Sequence, residues 1–283
     1  MKQKVWFITG ASRGLGLAIA KAALEIGDNV VATVRKNGKD LESTIGESDR
    51  LLVVQLDVTD EQQVKAGVER AVGRFGGIDV LVNNAGYGFL AATEEASDEE
   101  VRKQYDTNVF GLLNVTRATL PHMRRQRSGH IINISSFLGY HISVPGFGIY
   151  GSTKFAVEGL SEGLILEVKS LGINVTSVAP GLFRTSFASP ESFHSSRQVI
   201  DDYNETVGNV RRSFGQLDGS QSGDPSKLAQ IIIQLASHKN PPLHMPIGKD
   251  SRAAFTAKIE LMQNEAPGFD GFGINTDYEK SRE

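Results

Sequence analysis

The chain has 283 residues, 30 of them glycine and none cysteine. The lack of cysteine excludes a disulfide framework, a thiolate zinc site, an iron–sulfur cluster and a cysteine nucleophile. Thirty Lys+Arg against 33 Asp+Glu leave a net charge of -3, without the basic footprint of a nucleic-acid binder, and no apolar run approaches the ~18 residues of a membrane span.

A first strand is predicted at Lys4–Thr9. Its apolar stretch, Val5 to Ile8, is too short for a signal peptide, so the expected compartment is the cytoplasm. Thr9-Gly10-Ala11-Ser12-Arg13-Gly14-Leu15-Gly16 follows and opens a helix over Leu15–Leu24. In this setting Gly10 permits a tight turn and Gly14 lets backbone approach a pyrophosphate. Gly16 lets the helix lie close on the sheet. Ser12, Arg13 and Leu15 complete the candidate turn, and the helix N-terminus offers N–H groups to phosphates. The spacing is Gly-x-x-x-Gly-x-Gly rather than Gly-x-Gly-x-x-Gly. An ordinary glycine-rich turn is the alternative, and the strand–turn–helix context carries the dinucleotide reading.

A second strand, Asn29–Val34, ends in Arg35. Folds that prefer NAD usually place an acid here for the ribose 2′-hydroxyl. Arg35 together with Arg13 suits a 2′-phosphate instead, so NADP(H) is preferred and NAD(H) stays open. The third strand, Leu51–Leu56, ends in Asp57-Val58. Asp57 could accept from an adenine amino group or serve only local capping. Asp60 with Gln63 reads as the capped start of a helix over Glu61–Phe75.

The fourth strand, Asp79–Val82, runs into Asn83-Asn84-Ala85-Gly86. A long helix is predicted over Glu99–Arg124, with Asn108, a poor helix former, in its middle. Arg124-Arg125-Gln126-Arg127 reads as a solvated helix end. The fifth strand, His130–Ile134, ends in Ser135 and Ser136, where an open sheet points side chains toward a cleft. A helix over Ser152–Leu171 follows. Tyr150 and Lys154 stand four apart on one helical face. A lysine ammonium about 4 Å from the phenol, at an effective dielectric of ~20, would stabilise a phenolate by roughly three pKa units before desolvation. The pair therefore suits general acid–base work. The sixth strand is Asn174–Val178, and a weaker one is predicted at Leu243–Pro246.

Most of these runs are continuously apolar, as in strands covered on both faces. Strand–helix alternation implies βαβ units and a doubly wound α/β sheet. Leu182–Asp224 has no clear sheet pattern and sits where open sheets place ligand-binding excursions. Its Phe183, Phe187 and Phe193, with Tyr203, suit an apolar pocket or, equally, core or interface. The six histidines are scattered, so no metal site is expected.

Thr9-Gly10-x-x-x-Gly14-x-Gly16, Asp57, Asn83-Asn84-Ala85-Gly86, Asn108, Ser136, Tyr150-x-x-x-Lys154 and Pro180-Gly181-x-x-x-Thr185 occur in this order. The set resembles the short-chain dehydrogenase/reductase family over residues 4 to 185. The helix of Lys154-Phe155-Ala156-Val157-Glu158-Gly159-Leu160 resembles the branch holding 17β-hydroxysteroid and retinol dehydrogenase-like enzymes and bacterial carbonyl reductases. The resemblance implies a Rossmann-type, mainly parallel seven-stranded sheet with helices on both faces. It implies one domain over 1–265, a substrate loop at about 182–224 and a C-terminal tail at 266–283.

The resemblance also assigns roles. Tyr150 would pass a proton to or from the substrate oxygen. Lys154 would lower its pKa and bind the nicotinamide ribose, Ser136 would position the carbonyl, and Asn108 would hold a water linking Lys154 to solvent. Cofactor contacts would come from the glycine turn, Arg35, Asp57, Val58, Asn84, Ala85, Gly86, Tyr150, Lys154, Pro180, Gly181 and Thr185. Ser136 and Tyr150 are fourteen residues apart, one more than in most members, so the extra residue is expected in Tyr140–Val144; otherwise Ser135 supplies the hydroxyl. The expected activity is oxidoreduction between an alcohol and a carbonyl compound, an apolar one if the phenylalanines line the pocket, in a homodimer or homotetramer built on the helices at Glu99–Arg124 and Ser152–Leu171. The alternatives are a non-catalytic redox sensor and, less suited to fewer than 100 residues after Thr185, a sugar-nucleotide epimerase or dehydratase.

Overall fold

The computed structural model describes residues 3–36, 38–214, 219–266 and 278. The tail expected at 266–283 lies outside them except for Ala266 and Tyr278. Seven strands form one parallel sheet: β1 (Val5–Ile8), β2 (Asn29–Val34), β3 (Leu51–Gln55), β4 (Val80–Asn83), β6 (Gly129–Ile134), β7 (Ile173–Pro180) and β9 (His244–Ile247). Their order is β3-β2-β1-β4-β6-β7-β9. The chain winds outward from β1 in one direction and then resumes at β4 on its other side. Ligands of open α/β sheets bind at the carboxyl ends beside such a reversal. Among the described residues β9 is an edge strand paired with β7 alone, which is where its Pro246 can be tolerated.

Both faces of the sheet are covered. On one, Trp6, Ile8, Val30 and Ile132 pack with Ile19 of α1 (Gly14–Glu25) and Ile232 of α8 (Pro225–Ser237). On the other, Phe7, Leu81 and Ile131 pack with Val68 of α3 (Glu61–Phe75), Val115 of α5 (Leu112–Gln126) and Val168 of α6 (Gly148–Val168). Burial on both faces explains the continuously apolar strands, each large aliphatic side chain contributing roughly 1.5–3 kcal/mol when fully buried.

Local chemistry sets the helix starts. Asp60 accepts from the Gln62 and Gln63 amides, as expected. The Gln63 side chain bonds the Asp60 carboxylate and the Asp57 N–H, so the predicted capping box closes differently. Ser97 and Glu100 form a full capping box at α4 (Asp98–Tyr105).

Two regions differ from expectation. The long helix predicted over Glu99–Arg124 is α4 and α5 joined by a π-helical turn, Asp106–Gly111, which contains Asn108. The segment without a predicted strand contains β8 (Phe193–Ser195), paired in parallel with β5 (Gly88–Leu90) in a separate two-stranded sheet. Three residues are too few to show periodicity. Also absent from the sequence reading are α2 (Gly38–Ile45), α7 (Asn209–Phe214), α8 and α9 (Lys249–Glu265). Asp224-Pro225, an N-cap followed by proline at the first helical position, is the signal that announces α8. Among the described residues, no helix is long and apolar enough to cross a membrane.

Candidate active site

A cleft of about 1080 Å³ opens at the carboxyl ends of the strands. Its walls include the glycine turn after β1, Arg35 after β2, Asp57 after β3, Asn84 after β4, Ser136 after β6 and Pro180 ending β7. Parallel strands bring these sequence-distant residues to one edge.

The glycine turn is shaped by close packing. Gly10 and Gly14 adopt φ of +65° and +58°, a region that favours glycine. A Cβ on Gly16 would lie 2.5 Å from both Asn84 Nδ2 and the Gly10 oxygen. Gly16 is therefore needed for the approach of the turn to Asn84, whose amide donates to the carbonyls of Thr9 and Gly10 at 2.9 and 3.0 Å. Arg13 makes no side-chain cap on α1, whereas Asp60, Ser97 and Asp224 cap α3, α4 and α8. The first-turn N–H groups of α1 suit an anionic ligand, so the residues present fit a pyrophosphate.

Gly10, Ser12, Arg13, Gly14, Leu15, Arg35, Asp57, Val58, Asn84, Ala85, Gly86, Gly181 and Thr185 all line the cleft with Ser136, Tyr150, Lys154 and Pro180. Gly16 and Asn108 do not. One Asp57 oxygen accepts from the Thr59 amide and hydroxyl at 2.9 and 2.8 Å, which is the capping alternative. Thr185 accepts from the Phe187 N–H at 3.2 Å. Arg13 donates to the Glu191 carbonyl of the covering segment at 3.0 Å.

The chemical groups stand on one wall. The Ser136 hydroxyl acts on the Tyr150 phenol, whereas Ser135 donates to the Lys154 carbonyl at 3.4 Å. Of the two serines, Ser136 is therefore the one beside the Tyr150 phenol. The Lys154 ammonium donates to the Ile134 carbonyl at 2.9 Å and lies 5.8 Å from the centroid of the Tyr150 ring. Burial pushes Tyr150 up to about 12, eased by the Ser136 hydroxyl, and brings Lys154 down to about 8, opposed by the Glu158 carboxylate. Desolvation, left out of the simple Coulomb argument, is the largest influence on both groups.

Asn108 sits behind this wall. It accepts from the Tyr87 N–H at 3.1 Å and donates to the Tyr87 carbonyl and the Thr153 hydroxyl at 3.1 and 3.2 Å. The π-helical turn aims it there, tying the Asn-Ala-Gly turn to α6.

The other end of the cleft is apolar. Leu138, Val144, Phe147, Phe187, Val210 and Phe214 line it. Phe193 and Phe214 stack with centroids 4.0 Å apart. Phe183 and Phe187 reach the cleft, Phe193 packs behind it, and Tyr203 lies off it with its hydroxyl on Glu94 at 2.8 Å. Two supports carry no motif. Glu95 accepts from the Ala92 and Ile200 amides and from Arg211, fastening the segment that covers the cleft. Asp250 accepts from the Leu182 N–H at 2.6 Å and occupies the space a Cβ on Gly181 would need. Both are distant in sequence from what they hold, so no local pattern announces them.

A seven-stranded parallel sheet with a dinucleotide-type glycine turn and a Ser–Tyr–Lys wall defines a Rossmann-type oxidoreductase. The family model described as short chain dehydrogenase matches residues 4–194, and the chain belongs to that family. It is 44% identical over 253 residues to "Oxidoreductase BOA17" of Botryotinia fuckeliana, covering 88% of this chain and 90% of that one. It is 38% identical to a 3-ketodihydrosphingosine reductase of Bacteroides thetaiotaomicron, covering 88% and 89%. A crystal structure of a short-chain dehydrogenase from Streptomyces avermitilis superposes with a TM-score of 0.90 at 38% identity, covering 98% of this chain and all of that one. The structure of ElxO with NADP bound superposes with a TM-score of 0.71 at 29% identity, covering 86% and 96%.

Proposed function

We propose that this chain is an NADP(H)-preferring oxidoreductase that interconverts an apolar alcohol and its ketone or aldehyde. The observation that carries this reading is the convergence of Ser136, Tyr150 and Lys154 on one wall, between a phosphate-suited turn and an apolar pocket. A nicotinamide nucleotide, when bound, would supply the hydride in reduction and accept it in oxidation. The α1 N-terminus and the glycine turn would hold its pyrophosphate, Arg35 would favour a 2′-phosphate, and Lys154 and Thr185 would hold its nicotinamide end.

Ser136 donates a hydrogen bond to the substrate oxygen and fixes it beside Tyr150. Tyr150 gives its phenolic proton to that oxygen in reduction and takes it back in oxidation. A neutral phenol is the ready form for reduction, in keeping with its burial-raised pKa. Lys154 keeps a positive charge beside the phenolate as it forms. Phe147, Phe187 and Phe214 receive the apolar body of the substrate and exclude water. The relative that reduces 3-ketodihydrosphingosine by name supports an apolar ketone. Phe155 and Leu166, exposed on α6, support assembly into a homodimer or homotetramer through that helix.

The test is NADPH consumption by purified protein across aliphatic, aromatic and charged carbonyl compounds. Turnover of the apolar ones is expected. NADPH binding with no turnover across the panel would reverse the reading in favour of a redox sensor.

A further inference from the structure

The apolar end of the cleft is bounded by a closed circuit of rings. Between centroids, Tyr150 and Phe147 lie 6.2 Å apart, Phe147 and Phe214 5.6 Å, and Phe214 and Phe193 4.0 Å. Phe193 and Phe187 lie 6.2 Å apart, and Phe187 returns to Tyr150 at 6.0 Å. Three segments supply the rings: the turn into α6, the covering segment with β8, and the end of α7. The Tyr150 ring is buried between those of Phe147 and Phe187, which are inclined to it by 70° and 53°.

The position of this circuit is set from behind the cleft. β5 and β8 pair in parallel with Gly88 opposite Phe193, and the Gly88 N–H donates to the Ser192 carbonyl at 2.9 Å. Neighbouring strands lie only roughly 4.8 Å apart, so a side chain at Gly88 would stand beside the Phe193 ring. A Cβ there would lie 2.5 Å from Phe193 Cδ2 and 2.9 Å from Phe187 Cζ. Gly88 is not among the glycines of positive φ, so its backbone tolerates other residues and only the space does not. In a close-packed cluster, a methyl group at this point is passed on as displaced rings.

We propose that Gly88 is a positioning residue for the substrate pocket: by lacking a side chain it seats Phe187 and Phe193 back against β5, and the space this leaves before Tyr150 takes a carbonyl compound with an aromatic ring beside its carbonyl group. The proposal rests on the reading of Tyr150 as the proton donor and narrows the apolar substrate to a flat, ring-bearing one. A planar ring can set its edge against the faces of Phe147 and Phe187, an arrangement that aromatic pairs prefer. It also has little internal freedom to lose on entry, unlike a straight alkyl chain.

The test uses the full chain and Prodan, an uncharged naphthyl ketone whose emission moves to shorter wavelength in apolar surroundings. Binding is titrated with the oxidised nicotinamide nucleotide present, so that no reduction follows. Gly88→Ala is expected to weaken Prodan binding about tenfold, the low end for one methyl group misplaced in an apolar site. Gly73→Ala on α3, where a Cβ meets nothing within 4 Å, should change nothing. Phe193→Val gives Phe187 room to move back, so adding Gly88→Ala to it should cost less than about twofold, the non-additivity of residues in contact. Phe187→Leu keeps the test open should Gly88→Ala not fold. It should cost kcat/KM for Prodan roughly tenfold more than for the straight-chain methyl hexyl ketone. Unchanged affinity in Gly88→Ala, an undiminished loss in the Phe193→Val background, or equal costs for the two ketones in Phe187→Leu overturns the proposal. A chain that binds Prodan with this pattern of variants yet reduces no carbonyl compound supports it and overturns only the proposed activity. A chain that reduces methyl hexyl ketone but neither binds nor reduces Prodan overturns the ring-bearing substrate and leaves the activity standing.

Discussion

Arg211 donates to the carboxylate of Glu95 at 2.6 Å, and the Glu95 side chain is wholly shielded from solvent. The pair joins α7, which lends Val210 and Phe214 to the apolar end of the cleft, to the segment after β5. Removing one partner of a buried pair costs about 3–5 kcal/mol, and partial exposure of Arg211 places this case at the lower end. Arg211→Met should lower the denaturation midpoint and raise KM for the carbonyl substrate several-fold more than it lowers kcat. An unchanged midpoint together with an unchanged KM would show that the pair does not hold the covering segment.

Tyr150→Phe removes the proton carried to the substrate oxygen while keeping the ring against Phe147 and Phe187. Turnover should fall by at least about a hundredfold, within the range of general acid catalysis. NADPH affinity, read by fluorescence titration, should stay within a few-fold. Near-normal turnover would remove Tyr150 from its proposed role.

Arg35→Ala should weaken NADPH binding by about tenfold or more while leaving NADH nearly unaffected, because a charge-assisted bond to the 2′-phosphate is worth about 1.5–3 kcal/mol. Arg13→Ala should do less, since its guanidinium is engaged by Glu191. Equal losses for both nucleotides would assign Arg35 a structural part instead.

His130 is buried in β6 against the Thr176 hydroxyl at 2.9 Å, and burial brings its pKa from 6.5 down to about 4. The unfolded chain takes up this proton as pH falls below 6.5, whereas the folded chain resists until about 4. Folding stability is therefore full above pH 6.5 and declines through that interval, by about 3 kcal/mol in total. Urea unfolding at pH 7, 6 and 5 should show a shallower decline in His130→Gln than in the parent chain. Parallel declines would show that this histidine does not drive the acid sensitivity.

Most of the sheet strands were legible from the sequence because burial on both faces leaves largely apolar runs, whereas the half-exposed edge strand β9, with His244 in it, gave only a weak signal. The glycine turn and the Tyr150–Lys154 pair were legible for a different reason, since each is a local pattern on a single element. What escaped depends on three-dimensional neighbours. Desolvation of Tyr150 and Lys154 comes from the walls around them, not from their spacing. Asn108 could be marked as misplaced in a helix, but its partners Tyr87 and Thr153 come from two other segments. Glu95 and Asp250 looked like ordinary acidic residues, and only packing makes them supports.

The π-helical turn at Asp106–Gly111 carries one residue more than an α-helix of the same rise. Each residue advances an α-helix by about 100°, so the turn sets the angular phase between α4 and α5. Upstream, Gln104 donates to the Tyr87 carbonyl at 2.8 Å; downstream, Val115 and Met123 enter the core under the sheet. A single-residue deletion in the turn would produce a more regular helix and a worse protein. Either the half that holds the cleft or the half that holds the core would face the wrong way. The irregularity thus acts as a phase adjuster, letting one continuous helical rod meet two partners whose directions no uniform helix could satisfy.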